Sequence, residues 1–168
     1  MSAVLKSEEI FIRKMKEADL LAVRAIEVAS YDFPWSEKIF LDCLLAGYVC
    51  QVVEVEQKVA GYCIVTRAVQ ESHVLNICVD PKYRRSGCAR QLIENEIAGA
   101  LENNVNSICL EVRVSNVGAI ELYTGLGFHQ FGQRTDYYPA KNGREDAFIY
   151  RISVEGMRPK ISNLNLYV

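Results

Sequence analysis

The stretch from Val74 to Val114 constrains this chain more than any other. Val74–Val79 reads as an apolar strand closed by Asp80-Pro81. After a loop rich in arginine and glycine, Leu92, Ile93, Ile97, Ala100 and Leu101 recur at helical spacing, and Ser107–Val114 is again a strand. A strand, one helix and a second strand make a crossover connection, which lays the two strands side by side and parallel. The flanking elements are of another kind. Ile10–Lys14 is a short strand, and Asp19 is placed to cap a helix reaching about Ala29, with Leu21, Ala25 and Val28 as its apolar series. Ser36 caps a shorter helix carrying Ile39, Phe40, Cys43 and Leu44, which Gly47 ends. Two strands, Val49–Val55 and Val59–Arg67, meet at Glu56-Gln57-Lys58. Beyond the central unit come a helix over Ala119–Leu126 and strands near Gln130–Tyr138 and Asp146–Ile152. The fold class is therefore mixed α/β, with parallel strands in the centre and antiparallel pairs outside.

No repeat or linker interrupts the first 152 residues, so 1–152 is expected to be one domain. Residues 153–168 lack a clear period and are expected to form a C-terminal extension. A formal net charge of −2 supplies no global field for drawing the chain onto nucleic acid. Met1–Lys14 has no apolar core of a signal peptide, and no apolar run is long enough to cross a bilayer. Cys43, Cys50, Cys63, Cys78, Cys88 and Cys109 form no C-x-x-C pair, and most lie in apolar segments. A reduced, cytoplasmic setting is the expectation. His73 and His129 have no ligand spacing with cysteines or acids, so no metal site is expected.

Arg84-Arg85-Ser86-Gly87-Cys88-Ala89-Arg90 joins the strand to the central helix. N–H groups at a helix start lack acceptors within the helix, and the dipole there favours negative charge. Gly87 and Ala89 allow close backbone approach, and Arg84, Arg85 and Arg90 add positive charge. The loop suits a pyrophosphate, and equally a basic surface turn. It is neither a Walker A loop nor a Rossmann loop.

In Ser107–Val114, Ile108, Leu110 and Val112 point one way, and Cys109, Glu111 and Arg113 the other. Glu111 is thus either a solvated carboxylate or a cleft-lining one. Buried in a cleft, its pKa would rise into the range useful for taking a proton from an amine. Tyr123 is either a packed helix tyrosine or a proton donor to a leaving thiolate, its phenol having an ordinary pKa of about 10. Asn116 is well placed to cap the helix that follows it. Neither Cys88 nor Cys109 has an evident base that would make it an acyl-carrying nucleophile.

The loop R-x-x-G-x-A, after a strand ending Val79-Asp80-Pro81-Lys82-Tyr83, resembles the pyrophosphate loop of the GNAT N-acetyltransferases. Leu110-Glu111-Val112-Arg113 with Ser115-Asn116, Ala119-Ile120-Glu121-Leu122-Tyr123 and Leu126-Gly127-Phe128 resembles the RimI branch of that family. So do Phe33-Pro34-Trp35-Ser36-Glu37-Lys38, Tyr137-Tyr138-Pro139 and Gly143-Arg144-Glu145-Asp146-Ala147. The resemblance covers about residues 10–152. It implies a mostly antiparallel sheet with a central, splayed parallel pair and flanking helices. It also implies acetyl-CoA as cosubstrate, bound by the Arg84–Arg90 loop, by Asn116 and by the backbone of Ile77, Cys78 and Val79. Glu111 would be the proton acceptor and Tyr123 the proton donor, in direct transfer. The acceptor it implies is the N-terminal alanine of a small-subunit ribosomal protein, with Phe33, Trp35, Tyr137 and Tyr138 flanking the peptide. An α-amine, with a pKa of about 7.7–8.0 against about 10.4 for lysine, is also the easier one for a carboxylate to deprotonate. Small-molecule amines, protein lysines and a non-catalytic acyl-CoA-binding module are the alternatives.

Overall fold

The computed structural model describes residues 9–157; of the expected extension, residues 158–168 lie outside the described residues. The described chain runs β1 (Ile10–Lys14), α1 (Leu20–Ser30), α2 (Glu37–Leu45), β2 (Val49–Val55), β3 (Lys58–Arg67) and β4 (Glu71–Val79). It continues with α3 (Cys88–Glu102), β5 (Ser107–Arg113), α4 (Val117–Gly125), β6 (His129–Ala140) and β7 (Gly143–Ser153). The strands form one seven-stranded sheet in the order β1-β2-β3-β4-β5-β7-β6. Every neighbouring pair is antiparallel except β4 and β5, the two strands joined by the α3 crossover. No described helix is long and apolar enough to cross a membrane.

Strand alternation divides the core between the two faces of the sheet. Val53, Cys63, Val65 and Leu110 pack with Leu92 and Ile93 of α3 and Tyr123 of α4. Val52, Tyr62 and Ile64 pack on the opposite face with Val23 and Ile26 of α1 and Phe40 of α2. The β2–β3 turn has Glu56 at φ 50 and Gln57 at φ 64, the left-handed pair that matches the twist of a two-residue hairpin. Ser36 caps α2, accepting from the Ile39 N–H at 3.3 Å. Val154 is fully buried, and its N–H donates to the Asn106 carbonyl at 2.8 Å. The packed chain therefore reaches past Ser153.

Two expectations need correction in α1. Asp19 does not cap it: the carboxylate accepts from the Lys16 N–H at 2.7 Å, closing a 3-10 turn, and binds Arg13. The buried stripe is Leu20, Val23 and Ile26, whereas Leu21 is 79% and Val28 52% exposed. Two apolar series overlap on this helix. The one that wins carries Glu27, a carboxylate only 1% exposed, whose partners lie inside the fold.

The central pair is short. β4 and β5 are in register only from Glu71↔Ser107 to Val74↔Leu110. On its other side β4 remains paired with β3 to its end, with a register shift that leaves Leu75 as an extra residue between Val74 and Asn76. This bulge bends β4 where it leaves β5, and the two strands open a wedge beyond it.

Candidate active site

The wedge leads into a cleft of about 1010 Å³. One wall is Ile77, Cys78 and Val79 at the end of β4; the floor is the loop from Arg84 into α3; the far wall is Asn116 and Tyr123 on α4. The Asp80 carboxylate accepts from the Lys82 N–H at 2.9 Å and sets the turn after β4. Gly87 has φ +90, a left-handed conformation at the N-cap of α3 that side chains rarely adopt. The first helical hydrogen bond is from the Gln91 N–H to the Gly87 carbonyl. The N–H groups of the preceding turn are left for a ligand. Arg84, Arg85 and Arg90 are exposed around them, and Ala89 and Cys88 also line the cleft. Ser86 does not; its hydroxyl donates back to the Tyr83 carbonyl within the loop. These groups fit a pyrophosphate by charge and by donor geometry. Asn116 caps α4, its Oδ1 accepting from the Ala119 N–H at 3.2 Å, while still facing the cleft.

Glu111 stands on β5 two residues before Arg113, on the same face, and Arg113 lines the cleft. The Glu111 side chain is 7% exposed and held from two sides. Its Oε2 lies 2.5 Å from His73 Nε2, and its Oε1 accepts from Arg134 Nε at 3.1 Å. The expected rise in its pKa is not found. Burial pushes the Glu111 carboxyl up, but the His73 and Arg134 contacts together outweigh it and leave it below the usual range. The His73 imidazole is raised in return, by the hydrogen bond to Glu111 against the opposing effect of burial. Each group shifts the other, so the carboxylate and the imidazole ionise as a linked pair.

Tyr123 is 5% exposed, and burial drives its phenol well above the ordinary value, with Cys63, Tyr138 and Cys78 adding to the effect. It stays protonated at neutral pH. Tyr137 and Tyr138 sit near the end of β6 with rings 4.8 Å apart, under Arg134 and Arg113 respectively; neither lines the cleft, which Pro139, Ala140 and Lys141 reach instead. Both phenols are raised first by burial, and the charge of Glu111 contributes to each. Phe33 reaches the cleft and is 48% exposed, but Trp35 does not line it. The Trp35 ring packs on Phe40, with centroids 5.4 Å apart. The Cys109 thiol is pushed up to about 12, by burial and then by Glu71, which removes it as a nucleophile at neutral pH. Among the described residues no group of three or more His, Cys, Asp and Glu is placed to hold a metal ion.

Sequence reading missed His73 and Arg134. Running the strand back from Val74 to Glu71 would have put His73 opposite Cys109, on the face of Glu111. Arg134 had no such signal, because the β6–β7 register slips between Arg134 and Tyr138.

Known proteins agree with this geometry. A profile of the Acetyltransferase (GNAT) family matches residues 20–128. The [ribosomal protein bS18]-alanine N-acetyltransferase of Escherichia coli strain K12 is 38% identical over 143 residues, which is 85% of this chain and 97% of that protein. The enzyme of the same name from Haemophilus ducreyi is 31% identical over 139 residues, 82% of this chain and 96% of that one. The crystal structure of the ribosomal-protein-S18-alanine N-acetyltransferase from Escherichia coli superposes with a TM-score of 0.82 at 36% identity, covering 95% of this chain and all of that one. A phosphate-type loop, a wedge between parallel strands and a shielded carboxylate recur here with the family's profile across most of the fold, and the chain belongs to the GNAT acetyltransferase family.

Proposed function

We propose that this protein moves the acetyl group of acetyl-CoA to the α-amine of the N-terminal alanine of a small-subunit ribosomal protein, of the bS18 kind, in the cytoplasm. The observation that carries the reading is the shielded Glu111–His73 pair, with Glu111 two residues along β5 from Arg113, which lines a cleft floored by an anion-binding loop. The named activity of the E. coli and H. ducreyi relatives supplies the acceptor. Residues 1–152 form the catalytic domain in this reading, and neither nucleic acid nor a membrane takes part.

Acetyl-CoA supplies an activated thioester. Arg84, Arg85, Arg90 and the first N–H groups of α3 grip its pyrophosphate, and Asn116 lies along it. Backbone groups of Ile77, Cys78 and Val79 hold the acetyl end, because β4 has no strand partner on the wedge side there. Phe33, Tyr137 and Tyr138 flank the incoming peptide, with Trp35 holding the Phe33 loop on the core. The Glu111–His73 pair accepts the ammonium proton and frees the lone pair for attack. Tyr123 donates its proton to the departing sulfur. Tyr123→Phe is expected to lower turnover by about 10²-fold, with acetyl-CoA affinity within twofold of wild type by calorimetry. Equal turnover of the two proteins would remove Tyr123 from the reaction.

Mass spectrometry of a peptide panel tests the acceptor. Free α-amines with leading alanine, free α-amines with other leading residues, and blocked peptides carrying lysine are each incubated with enzyme and acetyl-CoA. Acetylation of the alanine α-amine is expected; acetylation confined to lysine would overturn the assignment.

A further inference from the structure

Among the described residues no cation pairs with Glu27. It is 1% exposed, and the hydrogen bonds it accepts there come from neutral donors. The Tyr62 hydroxyl and Asn76 Nδ2 (3.2 Å) donate to Oε2, and the Trp35 backbone N–H donates to Oε1 at 2.8 Å. Burying a charge without an opposite one costs several kcal/mol unless its lone pairs are filled. An apolar side chain would fill this place on α1 at lower cost, as Val23 does one turn before it and Ile26 next to it.

The donors explain its presence by where they stand. Tyr62 rises from β3 in the core beneath. Asn76 is the first residue of β4 after the bulge at Leu75, at the point where the strand leaves β5 and turns toward Ile77–Val79. Trp35 belongs to the segment between α1 and α2 that carries Phe33 to the cleft. Tyr31, four residues after Glu27, adds a second tie between the same parts, donating to the Ile77 carbonyl at 3.1 Å. One carboxylate thus touches the acceptor-side loop with one oxygen and the wedge strand with the other.

We propose that Glu27 is a positioning residue that locks the acceptor-side loop against the post-bulge part of β4, fixing the distance between the incoming amine and the acetyl group. The inference rests on the transfer reaction proposed above. Displacement of a reacting group by about 1 Å costs on the order of 10²-fold in rate, so a clamp between the two substrates acts on their joint reaction. It leaves the pyrophosphate end untouched, because none of its hydrogen bonds among the described residues reaches the Arg84–Arg90 loop.

The test is Glu27→Met in the full chain. Methionine keeps the length of the side chain but offers no strong acceptor, so the Asn76 and Trp35 ties both break. Expected are acetyl-CoA affinity within twofold of wild type and a fall of at least tenfold in kcat/KM for an alanine-terminated peptide. Trp35, the sole tryptophan of the chain, is expected to shift its emission as the loop loosens. Unchanged peptide kinetics, or acetyl-CoA affinity falling in step with them, overturns the clamp. Unchanged Trp35 emission also overturns it, and that measurement needs no turnover. If the wild-type protein fails to acetylate any peptide, the transfer reading fails, while emission still decides the clamp. Should Glu27→Met not fold, Asn76→Leu keeps Glu27 and removes only its tie to β4. That variant is expected to lose about tenfold in peptide kcat/KM, and wild-type values would overturn the clamp.

Discussion

Glu111→Gln is expected to lower turnover by about 10²–10⁴-fold, the range that positioned proton transfer contributes, without weakening acetyl-CoA binding. The glutamine keeps the size of the side chain and can still face His73 and Arg134, so the loss reads the charge. The pH dependence separates the pair from a lone carboxylate. Because His73 is raised by Glu111, the pair gains a proton as the pH falls through a value above the ordinary imidazole pKa of about 6.5. Turnover is therefore lost on the acid side at a higher pH than a free carboxylate would give. In His73→Gln the remaining base is Glu111 alone, whose proton is bound only at far lower pH. The acid limb of kcat should move down by at least one pH unit in that variant. An acid limb at the same pH in both proteins would show that His73 does not share the proton.

Gly61→Ala is expected to have the largest effect on the scaffold. Gly61 lies on β3 opposite Val79. A Cβ there would stand 2.6 Å from the Cys78 carbonyl oxygen and 3.2 Å from the Val79 Cα, with Val53 Cγ1 at 3.1 Å. Two of those three neighbours are backbone and cannot swing aside, so β4 must move away from β3 or the sheet must strain. Overpacking of this kind costs about 1–3 kcal/mol, or about 2–4 °C in Tm per kcal/mol at this chain length. The shift also falls on the residues proposed to hold the acetyl end, so acetyl-CoA affinity should drop with stability. A melting temperature within 1 °C of wild type, with unaltered affinity, would show that the sheet absorbs the methyl group.

Much of the fold was legible because its determinants are local. The crossover from Val79 through α3 to Ser107 announces a parallel pair by its spacing alone, and alternation in β5 put Glu111 on the right face. Ser36 and Gly47 bound α2 as read, since a cap needs only its own turn. The failures share a different cause. On α1 two apolar series compete, and the one that is buried is chosen by partners on β3 and β4 that spacing along the helix does not reveal. The sign of the Glu111 shift depends on His73, from the first residues of β4 in regular register, and on Arg134, from β6 beyond β7 and next to a register shift. The resemblance puts Trp35 beside the peptide, yet Phe40 and Glu27 decide where it goes.

The four-residue ladder between β4 and β5 has a thermodynamic consequence. It divides the sheet into an amino-terminal meander, β1 to β4, and a carboxy-terminal set, β5, β7 and β6, joined along one edge by only Glu71–Val74 and Ser107–Leu110. A cosubstrate bound in the wedge as proposed would touch both halves at once and so act as a cross-brace between them. Its binding free energy then counts toward cooperative unfolding of the whole molecule, about 2.7 kcal/mol at a ligand concentration 100 times Kd. The core around α3 already joins the two halves, so a bound ligand would raise the midpoint of a single transition rather than merge two.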